Sequence, residues 1–391
     1  MQRQTPLYLD HHATTPVDPR VLEAMLPFFR ERWGNAASKD HLFGNDAQGA
    51  VEEGRRAIAH ELGARPKEII FTSGATESNN LAIMGLLGGR ALSECHVITT
   101  CVEHRAVLDP LSHLEALGLT VTRLPVDEFG RIDPSELESA ICDRTVLVSV
   151  MAANNEIGTL QPLNEVGDIT RANGVLLHTD AAQAMGHLEL NTDALNVDLL
   201  SASAHKFYGP KGVGFLYVSQ RQPRVKLDPI QFGGGHEHGL RSGTLNVPGI
   251  VGMATALELA ATVRDAETKR LRELTDWMFL RLSQEIGSVQ RYGHPDLRLP
   301  HNLNIGIRGV RAKALLVNLP DLAFSTGSAC TTQKAQPSHV LEAIGLPAER
   351  LRESIRFGLG RETSREDIEY ALGRIREVAV RIRGAHVAAA G

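Results

Sequence analysis

Residues 199–212 read LLSASAHKFYGPKG, an apolar run that ends in a histidine–lysine pair and then a glycine-rich turn. The pattern predicts a buried strand with Lys206 directly after its carboxyl end. Lysine is rarely buried without a role, and an amine in a semi-apolar pocket at the end of a sheet has the lowered pKa that Schiff-base chemistry requires. A lysine in a surface loop is the competing interpretation, and on this segment alone it is the more common one.

Short apolar runs like this one recur along the chain, and most are separated by segments of helix length such as residues 163–173. This alternation predicts an α/β fold with a mainly parallel, seven-stranded sheet and helices on both faces. Two helices are expected early in the chain, one running from Pro19 towards Gly34 and one at about residues 47–62. The predicted strands are residues 68–72, 96–100, 121–125, 145–151, 175–180, 199–202 and 213–218.

The character of the sequence changes at about residue 249, where a long helical stretch begins that continues to about residue 286. A smaller α+β part follows, with a strand at residues 302–307 and a last helix at residues 366–384. We therefore predict a large domain of residues 15–260 and a small domain formed by residues 1–14 and 261–391. No Ser/Pro-rich linker separates the two parts, so they are expected to pack tightly and to form a ligand cleft between them.

Composition and charge narrow the class of protein. The 391 residues include 41 Lys and Arg against 46 Asp and Glu, a formal charge of −5 without any basic block, which gives direct nucleic-acid binding no electrostatic support. The chain shows neither a signal peptide nor an apolar run approaching the roughly 18 to 20 residues of a membrane span. We expect a cytoplasmic protein that does not bind membranes.

The cysteines are Cys95, Cys101, Cys142 and Cys330, and they lie far apart without a Cys-x-x-Cys pair. Neither a zinc site nor a disulfide framework is indicated, and no metal is expected. The first three lie in or beside apolar segments and are interpreted as buried structural residues. Cys330 lies in residues 325–332, a stretch of small and polar residues that we expect to be mobile.

Two further segments place polar groups at predicted strand ends. Asp180 ends the strand at residues 175–180, where a pyridinium nitrogen would need an anionic partner, although a helix N-cap is an equally good interpretation. Residues 72–77, TSGATE, pass from a strand through a glycine turn into a helix start that offers hydroxyls and free backbone N–H groups to a phosphate. With Lys206, these groups specify pyridoxal 5′-phosphate better than any one of them alone.

Motifs distributed in order over nearly the whole chain support this cofactor. They are Tyr8-Leu9-Asp10, Ala13-Thr14-Thr15-Pro16, Thr72-Ser73-Gly74-Ala75-Thr76-Glu77-Ser78, Glu103-His104, Asn154-Asn155-Glu156-Ile157-Gly158, His205-Lys206, Arg241-Ser242-Gly243-Thr244 and Gly327-Ser328-Ala329-Cys330. The set resembles the cysteine desulfurases, in the long-loop housekeeping group of the class V aminotransferase-like, fold-type I pyridoxal-phosphate enzymes.

The resemblance implies cofactor-binding roles. Lys206 would form the Schiff base and move protons, and His104 would stack on the pyridine ring and assist proton transfer. Asp180 would pair with the ring nitrogen, and Gln183 would bond the phenolic oxygen. The resemblance further implies a homodimer, because the residues expected to hold the phosphate include one from the other subunit: Ala75, Thr76, Ser203, His205 and, across the interface, Thr244.

The resemblance also implies how the substrate, L-cysteine, is handled. Arg356 would bind its α-carboxylate with help from Asn155, since a planar guanidinium matches a carboxylate at two points. Cys330 would be the nucleophile that takes the sulfur as a persulfide and leaves alanine. An acceptor protein would then receive the sulfur for iron–sulfur cluster assembly or nucleic-acid thiolation.

Three alternatives stay open at this stage: a selenocysteine lyase, a class V aminotransferase and a non-enzymatic platform for sulfur relay. The chain departs from the family pattern at His11-His12. His12, at a strand-to-turn boundary, is expected to be a surface residue, and a position near the mouth of the active site is the alternative. Housekeeping members often carry a longer tail that docks a scaffold protein, and docking by that route is not predicted for this chain. The acceptor therefore stays open between a differently bound scaffold, a transfer-RNA thiolation protein and a DNA phosphorothioation partner.

Overall fold

The structure is a computed structural model that describes residues 6–222, 224–326 and 337–390, with side chains described up to residue 384. Its strands are β1 (Leu7–Tyr8), β2 (Ile69–Thr72), β3 (His96–Thr100), β4 (Thr120–Leu124), β5 (Thr145–Ser149), β6 (Leu176–Asp180), β7 (Leu199–Ser203), β8 (Gly214–Val218), β9 (Val289–Tyr292), β10 (Asn302–Ile307), β11 (Leu322–Ala323), β12 (Ser325–Thr326) and β13 (Ser354–Gly358). Its helices are α1 (Pro19–Met25), α2 (Pro27–Arg30), α3 (Leu42–Glu61), α4 (Ala75–Leu87), α5 (Arg105–Ala116), α6 (Pro134–Ala140), α7 (Leu163–Ala172), α8 (Val247–Ile286), α9 (Ala312–Asn318), α10 (His339–Ala343), α11 (Ala348–Leu351) and α12 (Arg365–Ala390).

The predicted seven-stranded sheet is confirmed, with the spatial order β2-β8-β7-β6-β5-β3-β4. The five strands from β7 to β4 are parallel to one another, whereas β8 is antiparallel to both of its neighbours. Consecutive residues of one strand enter different hydrophobic cores: Leu200 packs in the core with α3, and Leu199 packs in the core with α4 and α5. Helices therefore cover both faces, as the continuous apolar runs of these strands predict.

A second sheet, of antiparallel strands in the order β12-β13-β10-β9, forms the smaller α+β part. Its core includes Leu9 from the beginning of the chain together with Leu271 and Met278 of α8. The amino-terminal half of α8 contributes to the core of the large sheet instead. The boundary at residues 260/261 stays a prediction, because α8 passes through it without interruption and joins the two cores.

Helix α8 is the one helix in the described part of the chain whose length and composition would allow it to cross a membrane. Half of its most apolar stretch is buried inside the protein. The helix packs against α1, α3 and α12. Burial between these helices accounts for its apolar side chains.

Three local predictions are corrected by the structure. The first helix stops at Met25, because Pro27 has no N–H to continue the hydrogen-bond ladder and begins the separate helix α2. Helix α3 begins five residues before the predicted position, because the His41 ring accepts a hydrogen bond from Gly44 N at 3.1 Å and caps it. Cys142 is exposed rather than buried, in the turn before the amino end of β5.

A buried ion pair anchors the strand that leads into the TSGATE segment. Arg55 of α3 donates to Glu237 at 2.7 and 2.9 Å, and both side chains are almost fully buried. The same Glu237 carboxylate accepts a hydrogen bond from Phe71 N of β2 at 2.7 Å. The pair therefore joins three separate parts of the chain just ahead of the turn at Gly74.

Replacing Arg55 with Met should destabilise the protein by about 3 to 5 kcal/mol, because it leaves the Glu237 carboxylate buried without a counter-charge. Denaturant unfolding followed by fluorescence measures the loss. Arg32→Met is the matched control, since the Arg32–Asp46 pair is exposed and such pairs contribute about 1 kcal/mol or less. Equal effects of the two substitutions would contradict the structural role given to Arg55.

Candidate active site

The predicted site residues gather at one edge of the large sheet. Asp180 is the last residue of β6, Lys206 follows β7, and His104 follows β3. Strand β2 runs in the same direction as β7, because β8 between them is antiparallel to both, so the turn at Gly74 lies at the same edge. The carboxyl ends of strands in such sheets are the usual position of ligand sites.

Lys206 contacts the turn that follows β1. Its Nζ donates to the carbonyl oxygens of His12 and Ala13 at 2.6 and 2.9 Å. Burial lowers the pKa of this amine to about 8, with a further lowering from the positive charge of Arg356, while Asp180 opposes the shift. An amine with this pKa has a substantial neutral, nucleophilic fraction near neutral pH.

Asp180 is buried and held by two donors. Its Oδ2 accepts from Asn79 Nδ2 at 2.7 Å, and its Oδ1 accepts from Ala182 N at 2.9 Å. The two hydrogen bonds fix the position of the carboxyl group, which could pair with a pyridinium N–H. Asn79 was not predicted from the sequence; its position one turn after the helix start of TSGATE is the only signal that could have indicated it.

The phosphate site predicted from TSGATE has the expected backbone geometry. Gly74 has φ of +152° and begins α4, whose first N–H groups at Ala75 and Thr76 have no partner within the helix. The turn lies against β8, where a Cβ at Gly214 would lie only 2.6 Å from Gly74 Cα. The backbones of the turn and of β8 can approach this closely because both residues are glycines. A Cβ at Gly74 would also lie 3.4 Å from Ser203 Oγ.

His205 lies between this phosphate site and the amino-terminal turn. Its Nδ1 is 3.1 Å from Thr14 Oγ1. Burial, the first cause, and the charges of Lys206 and Lys211 lower its pKa to about 4, so the ring is neutral at pH 7 in the absence of an anion. A neutral ring bonded at Nδ1 leaves Nε2 for a phosphate oxygen.

His104 caps α5, because Ala106 N donates to its Nδ1 at 3.1 Å. A neutral ring that accepts at Nδ1 carries its hydrogen on Nε2. Nε2 can therefore donate a proton in this arrangement, but it has no lone pair with which to accept one. The geometry is compatible with the predicted stacking role and restricts the predicted role in proton transfer to donation.

Arg356, on β13, is held from three directions. Its guanidinium donates to Asp10 Oδ1 at 2.9 Å, to Ser325 Oγ at 3.1 Å and to the Asn155 carbonyl oxygen at 2.8 Å. Asn155 thus assists through its main chain. The Nε atom of Arg356 is buried without a hydrogen-bond partner among the described residues, which leaves a donor for a ligand carboxylate.

Gln183 is bonded to the amino-terminal turn. Its Nε2 donates to the His12 carbonyl oxygen at 3.0 Å, and its Oε1 lies 2.9 Å from His12 Nδ1. His12 is only 1% exposed, so the expectation of a surface residue is wrong. No local pattern at His12 indicates its burial, because that burial depends on residues far along the chain.

One predicted residue in the described part of the chain is not brought together with the others. Thr244 is exposed, in the segment before α8. Cys330 lies outside the described residues. Among the described residues no group of His, Cys, Asp or Glu could hold a metal ion.

The groups present fit pyridoxal 5′-phosphate. A half-buried amine of low pKa, a buried carboxylate held by two donors and a helix start with free N–H groups match the aldehyde, the ring nitrogen and the phosphate in turn. The residues that would hold the cofactor are Ala75, Thr76, His104, Asn155, Asp180, Gln183, Ser203, His205 and Lys206.

Comparison with known proteins agrees with this assignment. Residues 7–371 match the family Aminotransferase class-V, and the chain belongs to this family. It is 51% identical to Cysteine desulfurase IscS of Anaeromyxobacter dehalogenans (strain 2CP-C), over 91% of this chain and 88% of that protein. The protein of the same name from Rickettsia bellii (strain OSU 85-389) is 49% identical, over 91% of this chain and 87% of the relative.

Solved structures of similar proteins share the fold. A NifS-like protein superposes with a TM-score of 0.89 at 37% identity, covering 96% of this chain and 99% of its own. DndA from Streptomyces lividans gives a TM-score of 0.77 at 40% identity, over 90% and 99% of the two chains. SspA, solved in complex with cysteine, gives 0.79 at 37% identity, over 90% and 98%.

The pKa of Lys206 predicts how the apoenzyme takes up its cofactor. Because the neutral amine reacts, the rate of bond formation with added pyridoxal phosphate should rise with pH and level off above a midpoint near 8. An ordinary lysine, with a pKa of about 10.4, would show a continuing rise. Stopped-flow visible absorption measures the rate.

Arg356→Gln should move this midpoint to higher pH, because the positive charge of Arg356 is one cause of the lowered pKa. Arg352→Gln, at an exposed position four residues earlier, is the control and should leave the midpoint in place. A wild-type midpoint above pH 10, or the same shift in both variants, would contradict the description of Lys206.

Proposed function

We infer that the chain is a pyridoxal-phosphate-dependent cysteine desulfurase, which converts L-cysteine to L-alanine and transfers the sulfur onward. The observation that carries the inference is the placement of Lys206 and Asp180 at one edge of the large sheet, with Arg356 of β13 near enough that its charge and that of Asp180 both act on the Lys206 amine. Relatives about half identical over 91% of the chain bear the same name. SspA, a structural neighbour, is solved with cysteine bound.

The substrate carboxylate is assigned to Arg356. A carboxylate can take its buried, unpartnered Nε, while Asp10, Ser325 and the Asn155 carbonyl oxygen hold the remaining nitrogens in place. A guanidinium held in this way is already oriented before the substrate arrives, so less side-chain entropy is lost on binding.

Proton handling at Cα is assigned to Lys206. Pyridoxal phosphate, when bound, supplies an electron sink that stabilises negative charge at the substrate Cα. Asp180, held in place by Asn79, is the carboxyl group that would pair with the ring nitrogen. The Lys206 amine, with a pKa of about 8, can take a proton at Nζ and return it at neutral pH.

Sulfur transfer is assigned to Cys330. Its thiolate attacks the substrate sulfur, so a sulfur–sulfur bond forms while the carbon–sulfur bond breaks. The electron pair of the broken bond stays with the carbon fragment, which gains a proton and leaves as alanine. The persulfide on Cys330 is then passed to an acceptor protein that serves iron–sulfur cluster assembly or nucleic-acid thiolation.

The working unit is proposed to be a homodimer in which Thr244 reaches the phosphate of the partner's cofactor. Thr244 is exposed in one chain, and so is Thr76 at the phosphate site. Large apolar side chains are also exposed, among them Trp33, Phe43 and Phe232. The Trp33 and Phe43 rings stack with 5.1 Å between their centroids, and an exposed apolar patch is a common mark of subunit contacts.

Cys330→Ser should abolish the protein-bound persulfide and slow the formation of alanine from L-cysteine at least about 100-fold, because the hydroxyl is a far weaker nucleophile than a thiolate. Mass spectrometry detects the persulfide, and amino-acid analysis detects alanine. Cys142→Ser is the control. The Cys142 thiol is exposed and its pKa is lowered by a hydrogen bond with Thr145, but it lies at the amino end of β5, away from the site.

Two results would reject the assignment, one from these variants and one from a comparison of substrates with the wild type. A Cys330→Ser enzyme that releases alanine and sulfide at the wild-type rate would make Cys330 a bystander and favour a lyase or an aminotransferase. Faster turnover of selenocysteine than of cysteine by the wild type would favour a selenocysteine lyase.

Arg356→Lys should reduce kcat/KM for L-cysteine by about 10- to 100-fold, mainly through KM, because a lysine has no counterpart of the Nε–H donor and hydrogen bonds to charged groups contribute roughly 1.5 to 3 kcal/mol. Steady-state alanine formation measures both constants. The exposed Arg352, replaced in the same way, should leave both unchanged within about twofold. A fall in kcat alone would move Arg356 from substrate binding to a different step.

A further inference from the structure

Three histidine rings form a stack behind the Lys206 amine. The rings of His12 and His301 lie 4.3 Å apart with 19° between their planes, and those of His301 and His187 lie 4.1 Å apart with 28°. Both ends of the stack are bonded to Lys206: the His12 carbonyl oxygen accepts from its Nζ, and His187 Nε2 lies 3.3 Å from its carbonyl oxygen. The rings lie face to face, so their nitrogens do not converge as metal ligands would.

The contacts with Gln183 fix the hydrogen on His12. Gln183 Nε2 must face the His12 carbonyl oxygen, because a carbonyl oxygen can only accept a hydrogen bond. Gln183 Oε1 therefore faces His12 Nδ1, and this nitrogen must carry the hydrogen. His12 Nε2 is left with a lone pair, buried and without a partner among the described residues.

The surroundings keep His12 neutral. Burial is the first cause of its strongly lowered pKa, and the charges of Arg356 and Lys206 act in the same direction, while the bond to Gln183 opposes them. His301 is neutral for the same first reason. The charged and titratable groups that face the stack are Arg356, Lys206, His11, Glu267 and Arg361.

We propose that His12 is a positioning residue for the reaction: its Nδ1–H and its carbonyl oxygen hold the Gln183 amide at two points, which leaves the second Nε2–H of Gln183 fixed for the cofactor's phenolic oxygen. The proposal rests on the proposed function, because Gln183 is assigned to that oxygen there. Without the Nδ1–H, the amide is held at one point only and can turn about its last bond.

Three substitutions separate this hydrogen bond from simple packing. His12→Asn keeps an N–H at the position of Nδ1, whereas His12→Leu fills similar space without any donor. His301→Phe keeps an aromatic ring in the stack and leaves the His12–Gln183 contact in place. Both variants of His12 lose the ring stacking, so a difference between them reports the hydrogen bond alone.

The first readout is the visible absorption of the holoenzyme as a function of pH. Donation from Gln183 would stabilise negative charge on the phenolic oxygen, so the bound cofactor would lose a proton at lower pH with this hydrogen bond than without it. We expect the pH midpoint of the spectral change to rise in His12→Leu and to stay at the wild-type value in His12→Asn and His301→Phe. The kcat for alanine formation should fall about tenfold in His12→Leu, because one hydrogen bond contributes about 1.4 kcal/mol and this energy corresponds to a factor of about ten in rate. In the other two variants kcat should fall less than about threefold.

The second readout is the tautomer of His12, from two-bond nitrogen–proton correlation spectra of histidine-labelled holoenzyme. The signal that disappears in His12→Asn belongs to His12, and it should show hydrogen on Nδ1 and a lone pair on Nε2. Hydrogen on Nε2 would overturn the proposal, as would equal midpoints in the Asn and Leu variants or a His301→Phe variant that behaves like His12→Leu. A wild type that forms no alanine from cysteine would reject the proposed function, while the spectra would still test His12.

Discussion

The contact between the Lys206 amine and the carbonyl oxygens of residues 12 and 13 is the interaction on which the site depends. It joins the first described residues of the chain to the carboxyl end of β7, almost 200 residues later. Two backbone hydrogen bonds join the same two segments: Thr15 N donates to the His205 carbonyl oxygen, and Asp18 N donates to the Tyr208 carbonyl oxygen. The amine therefore has a fixed position before any ligand binds.

The charges around this amine are balanced by a small number of buried groups. Burial raises the pKa of Glu103 to about 8, so this carboxyl is mostly protonated at neutral pH and adds little negative charge near Asp180. Asp10 lies against Arg356 and offsets part of its charge. With Glu103 largely neutral, Asp180 is the carboxylate available to a ring nitrogen, and Lys206 is the amine whose pKa is shifted towards neutrality.

Local patterns in the sequence were sufficient for the sheet and for the residues at its strand ends. Short apolar runs separated by helices define parallel strands, and Lys206, Asp180 and Gly74 follow such runs directly, so their positions at one edge are a consequence of chain direction. Arg356 and its carboxylate-binding role came from the resemblance to a family. The orientation of its side chain by Asp10 and Ser325 could not be predicted in this way, because Asp10 follows β1 and Ser325 lies in β12.

The sequence alone determined the fold class, because the alternation of strands and helices is visible along the chain. It also determined the amine, the carboxylate and, from their combination with the TSGATE segment, the cofactor, because each of these groups directly follows or ends a local apolar run. Only the tertiary structure decided that His12 is buried against Gln183. Space for the two histidines exists because the distant β13 and the turn after it carry glycines: a Cβ at Gly358 would lie 2.9 Å from the His12 ring, and one at Gly360 would lie 2.1 Å from His11 Nε2. No local pattern records such a fit, since it depends on the packing of segments about 350 residues apart.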